Sequence, residues 1–117
     1  MSDSPLDHAV LSALHEVMEE EFVVLLDTFL ADSQERLRQI RQALADGDSQ
    51  AMRLAAHSFK GSCSNMGAPL LAGLCKQLED LAQRGQLASA PALVEQIEAA
   101  FLVVHDLLQD ERRGLTR

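Results

Sequence analysis

His57, Lys60 and Gly61 are the residues whose types and spacing suit a reaction. They lie in the run Ala56-His57-Ser58-Phe59-Lys60-Gly61-Ser62-Cys63-Ser64-Asn65-Met66-Gly67, which reads as helix apart from the glycine in its middle. An imidazole titrates near pH 6.5, so at neutral pH most of it carries a free nucleophilic lone pair. A cation one turn further on would neutralise a phosphoryl group attached to the ring, as cationic clamps do for transferring phosphoryl groups. A glycine inside a helix costs about 1 kcal/mol relative to alanine, and a bare position one turn from the imidazole would let another protein's backbone come close. At about 100° per residue, Arg53, Lys60, Gly61 and Ser64 all fall within roughly 60° of His57. Met52, Ala55, Phe59, Cys63 and Met66 occupy the opposite face. A lone helical histidine is by itself an ordinary surface residue. The cation and the gap beside it point to one that receives a phosphoryl group and hands it on.

Other chemistry finds little support. Glu79 and Asp80 are adjacent, so on a helix their carboxylates diverge instead of forming an acid and base pair. Ser58 and Ser62 are turned away from His57 by the helical projection, and no third residue orients a triad. No glycine-rich loop follows a strand, which removes the usual nucleotide cradle. The phosphoryl group must therefore come from a partner, and no kinase activity of the chain's own is expected.

The elements that must position these residues follow from apolar periodicity. Leu6, Val10, Leu11 and Leu14 give a short first helix with Asp7 near its start. His8 and His15 lie seven apart on one face, but no carboxylate or thiol completes a metal set, so they read as surface histidines. Phe22, Leu25, Leu26, Phe29, Leu30, Leu37, Ile40 and Leu44 predict a long helix from about Glu19 to Ala45. The triplet Glu19-Glu20-Glu21 would open it, with Arg36, Arg38 and Arg41 towards its end complementing the dipole. Gly47 stops that helix, and Asp48 or Ser49 caps the next, about Ser49 to Met66. Gly67 ends the histidine helix and Pro69 opens the following one, whose buried stripe is Leu70, Leu71, Leu74, Cys75, Leu78 and Leu81. That helix closes at Arg84-Gly85. After a connector at Gln86 to Ala90, Leu93, Ile97, Phe101, Val104, Leu107 and Leu108 carry a last helix to about Asp110, with Glu111-Arg112-Arg113-Gly114 as its stop. No strand alternation is visible. The expected fold is all-α, an antiparallel four-helix bundle with a short additional N-terminal helix, because short connections force neighbouring helices to run in opposite directions.

Composition narrows the function further. The 117 residues suit one domain over residues 1–117, with ends frayed at about 1–5 and 112–117, and 47% apolar residues supply its core. A net charge of −8 and only four Phe, with no Trp or Tyr, argue against nucleic acid. No continuous apolar run approaches 18 residues and the N-terminus lacks signal-peptide character, so no membrane is expected and the chain reads as soluble and cytoplasmic. Cys63 and Cys75, with no second cluster, read as free, packed thiols.

His57-Ser58-Phe59-Lys60-Gly61-Ser62, followed by Asn65-Met66-Gly67-Ala68 and then Leu70, Leu74, Cys75 and Leu78-Glu79, resembles the signature of histidine-containing phosphotransfer (HPt) domains of the stand-alone bacterial type. The resemblance implies that His57 takes a phosphoryl group from an aspartyl phosphate on the receiver domain of a hybrid sensor kinase and passes it to the aspartate of a response regulator. Lys60 would be the stabilising cation, Gly61 the clearance for the receiver and Gly67 structural, with Ser64 and Gln77 on the docking face. Some family members bond the imidazole through a glutamine on the following helix; Gln77 is the nearest candidate here, and Glu79 lies in the same region. Arg53 joins Lys60 as a second phosphate-stabilising cation on the helical projection alone. No cofactor of the chain's own is expected, the Mg²⁺ being held by the receiver, and a monomer is expected because the reactive face must meet receivers one at a time. The alternative is a helical adaptor that binds a signalling partner through the same face without being phosphorylated.

Overall fold

The computed structural model describes residues 4–115, and among them every regular element is helical. They are α1 (His8–Met18), α2 (Glu21–Asp46), α3 (Ser49–Met66), α4 (Pro69–Gln83), a 3-10 turn at Leu87–Ser89, and α5 (Ala90–Leu115). Each long helix turns one apolar stripe inward: α2 packs on α3, α3 on α4, α4 on α5, and α5 returns to α2. Phe22, Leu26, Ile40, Met52, Phe59, Leu71, Leu78, Ile97 and Leu108 are fully buried between them. The Phe59 and Phe101 rings meet edge-on at 6.3 Å.

The chain turns on either side of α3 are set by local chemistry. Gly47, at φ 64°, ends α2, and the Asp48 carboxylate accepts from the Ala51 N–H at 3.0 Å to cap α3. Gly67, at φ 82°, ends α3, and Pro69 opens α4. The N-terminal segment is stitched to this second turn. The Asp7 N–H donates to the Gly67 carbonyl at 2.7 Å, the Leu70 N–H donates to the Ser4 carbonyl at 3.3 Å, and Leu6 is buried. A Cβ on Gly67 would stand 2.8 Å from Val10 Cβ, so α1 can dock only on a bare backbone. Gly67→Ala combines that clash with a left-handed conformation, and we expect it to lower stability by about 2 kcal/mol or more, read as a shifted denaturation midpoint.

The helix boundaries depart from expectation at three places. First, α1 runs to Met18, and Glu19 ends it at φ 51° with its N–H on the His15 carbonyl. The acidic triplet thus spans a two-residue reversal, and only Glu21 lies in the first turn of α2. Second, Arg36, Arg38 and Arg41 sit short of the last turn of α2. Arg38 pairs with Glu35 one turn back, and Arg41 reaches across to Glu98 on α5. Third, α5 continues through the expected stop to Leu115. Arg112 bridges to Asp27 on α2 at 2.7 Å and Arg113 pairs with Asp110, contacts that hold the final turns despite Gly114. Residues 112–115 thus lie within α5 and the Ser4 carbonyl accepts from α4, while the rest of both expected frayed ends lies outside the described residues. The segment Leu87–Leu115 is long and apolar enough to cross a membrane by length and composition. Its apolar stripe of Leu93, Val94, Ile97, Phe101, Val104 and Leu108 is, however, spent on the core.

Candidate functional site

Residues of α3 and α4 meet in pairs as the two helices recede from the turn at Gly67 and Ala68. Cys63 and Cys75 are both buried, free thiols, and the neighbouring Cys75 together with burial holds the Cys63 thiol far above its ordinary pKa, so it is a packing group and not a nucleophile. Further out, His57 and Lys60 both converge on Glu79. His57 Nδ1 lies 2.7 Å from one Glu79 carboxylate oxygen, and Lys60 Nζ donates to the other at 2.7 Å. The three differ in access: the side chain of His57 is 62% exposed, that of Lys60 26% and that of Glu79 12%.

Charge decides the protons in this cluster. The bond from Lys60, and then that from His57, outweigh burial and hold the Glu79 carboxyl below its ordinary value of 4.5. Glu79 is therefore an ionised carboxylate at neutral pH and can only accept hydrogen bonds. The proton of a neutral His57 ring must then sit on Nδ1, and Nε2 keeps its lone pair. Nε2 has no hydrogen-bond partner among the described residues. The result is an imidazole clamped at one nitrogen and open at the other.

The surroundings of the open nitrogen are bare. Gly61 is exposed on α3, and a Cβ built there would meet nothing within 4 Å. Its backbone is ordinary helix, so neither conformation nor internal space requires a glycine. Ser64 is exposed one turn beyond, and Leu54, a large apolar side chain, is 51% exposed on the other side of His57.

Two expected neighbours lie elsewhere. Gln77 makes no hydrogen bond to His57 and is exposed on a different side of α4, where it lines a shallow surface with Asp80, Leu81 and Leu93 of α5. Positions 77 and 79 are about 200° apart on a helix, so only one of them can face α3. Sequence spacing carried the signal: His57 and Glu79 are equidistant from Ala68, at the centre of the turn. Arg53 does share the His57 face of α3, but it opens into a cleft bordered by Gln50, Gln83 and Arg84 that His57 does not line. His15 stacks on Phe22 at 4.8 Å, and among the described residues no three His, Cys, Asp or Glu side chains gather as metal ligands.

The profile of the Hpt domain family matches residues 24–113, most of the chain. The chain belongs to the Hpt family. Its Hpt fold is also that of the crystal structure of histidine-containing phosphotransfer protein B (HptB) from Pseudomonas aeruginosa PAO1, which is 57% identical, with a TM-score of 0.93 over 97% of this chain and 98% of that one. No curated protein sequence matches the chain. As an Hpt protein it is a histidine phosphotransfer carrier in phosphorelay signalling. Hpt proteins are carriers and not kinases, and they interact with receiver domains and response regulators.

Proposed function

We propose that His57 is the phosphorylated residue, taking the phosphoryl group from an aspartyl phosphate of a hybrid kinase receiver and giving it to the aspartate of a response regulator. The observation that supports this most is the 2.7 Å contact of Nδ1 with Glu79, which in the neutral ring leaves the lone pair on Nε2, a nitrogen without a partner among the described residues on a side chain that is 62% exposed. On this reading Nε2 attacks phosphorus in line, the bond from phosphorus to the aspartate oxygen breaks, and its electron pair leaves on the carboxylate. No proton has to leave the ring. The positive charge that develops on it faces the Glu79 carboxylate, while Lys60, within reach of the same carboxylate, can swing towards the phosphoryl oxygens. Mg²⁺ held by the receiver, and no cofactor of this chain, would supply the remaining charge neutralisation. Return of the group reverses these steps.

The same reading takes residues 1–117 as one domain whose four long helices form an antiparallel bundle, with α1 covering one end. It is a soluble, cytoplasmic monomer without kinase activity, and it binds neither nucleic acid nor membrane. The test is incubation of the chain with a phosphorylated receiver. Acid-labile phosphate should appear on the chain, and ATP alone should leave it unlabelled. Receiver binding without any acid-labile phosphate would instead establish a non-phosphorylated adaptor.

Gly61 and Ser64 belong to the docking face in this scheme, and Gly61 gives a prediction with opposite signs. Gly61→Gln replaces a poor helix former by a good one at an open position, so thermal stability should rise by about 0.5 kcal/mol. Transfer from the receiver should slow by about tenfold or more because the new side chain stands where the partner must come. Unchanged transfer kinetics would remove the clearance role.

A further inference from the structure

The chain carries a net charge of −8, and most basic groups among its described residues are engaged. Among the described residues Arg38, Arg41, Lys60, Lys76, Arg112 and Arg113 each reach a carboxylate, and Arg36 bonds the Gln39 amide. Arg53 and Arg84 do neither, and the two line one open cleft of about 460 Å³ between the start of α3 and the end of α4. Nearby carboxylates are committed elsewhere: Asp80 to Lys76, Asp48 to the α3 cap, and Glu79 to Lys60 and His57. Two cations that line one cleft repel each other, and an anion between them relieves that repulsion.

We propose that this cleft docks carboxylates at the rim of the receiver's phosphorylation site. The inference rests on the phosphotransfer reading of His57. Arg53 precedes His57 by four residues, about one turn, on the same face of α3, about 6 Å along the axis. A receiver domain that brings its aspartate to Nε2 therefore covers the cleft as well. Its phosphorylation site must gather carboxylates to hold a divalent cation, so the surface it presents is acidic. An acidic carrier facing an acidic site would be repelled as a whole. A cationic cleft beside the nucleophile reverses the sign locally, steering encounter and register. The phosphoryl group itself is not the ligand, since His57 does not line the cleft.

The experiment measures transfer from a phosphorylated receiver to the full chain across a salt series, for wild type and for Arg53→Ala/Arg84→Ala. We expect kcat/KM to fall about tenfold at low salt through KM, with turnover at saturating receiver and phosphohistidine lifetime unchanged, and with a flattened salt dependence. Arg53→Lys/Arg84→Lys should restore most of the rate, and circular dichroism should show all variants folded. Equal kcat/KM and equal salt dependence would overturn the proposal. So would a shortened phosphohistidine lifetime, which would place the arginines on the phosphoryl group, or saturable binding of inorganic phosphate that the double variant loses, which would make the cleft a small-anion site. Calorimetric binding of the unphosphorylated receiver should weaken in parallel. That readout holds whether or not His57 is labelled, so failure of the docking proposal and failure of the phosphotransfer reading are separable.

Discussion

A His57→Gln variant is expected to accept no detectable phosphoryl group from a phosphorylated receiver while keeping the helical circular dichroism and thermal midpoint of the wild type. The two halves of the result have separate causes. The imidazole is 62% exposed, so replacing it removes little buried surface, and a glutamine amide can still donate towards Glu79. Yet the amide nitrogen has no available lone pair, so nothing remains to attack phosphorus. Phosphate labelling and intact mass, read beside circular dichroism, test both halves. Labelling at the wild-type level would move the site to another histidine. The three candidates are poorly equipped: His8 is exposed at the start of α1, His15 is stacked on Phe22, and His105 meets the adjacent Asp106 and the Phe101 ring. None of them shares a carboxylate with a lysine.

Much of this arrangement is legible in the sequence because it depends on period and punctuation. The run from Ser49 to Met66 declares its ends through Asp48 and Gly67, and its buried stripe of Met52, Phe59, Cys63 and Met66 fixes which way His57 must face. Both helix ends beside α3 obey local rules that need no knowledge of the rest of the fold. What the sequence hides is contact between elements. Glu19 has the composition of a helix start, and only the reversal into α2 gives it a positive φ. Gly114 looks like a stop until Arg112 is seen to reach Asp27, far away in the chain. The choice between Gln77 and Glu79 turns on the rotation of α4 about its own axis. An amide looks like the natural partner for an imidazole, but tertiary packing, and not side-chain type, decides which residue faces it.

Replacing Glu79 separates the two roles assigned to it. Glu79→Ala removes both the acceptor that fixes the His57 tautomer and the anchor of Lys60, and we expect transfer to slow by about 10- to 100-fold, a usual effect for a group that orients a reactive ligand. Glu79→Gln keeps an oxygen that can accept from Nδ1–H but carries no charge. If orientation dominates, this variant should transfer nearly as fast as wild type; if the carboxylate chiefly balances positive charge developing on the ring, it should resemble alanine. Stability provides an independent reading. A carboxyl with a lowered folded pKa stabilises above its ordinary value of 4.5, and that contribution is lost as pH falls through the lowered value. Wild type should therefore be more stable than Glu79→Gln at neutral pH, and the gap should close in acid, where Glu79 is protonated. Acid titration of the two proteins by circular dichroism checks this. A gap that is constant with pH would mean that Glu79 contributes through packing alone, and the clamp on Nδ1 would then need another source.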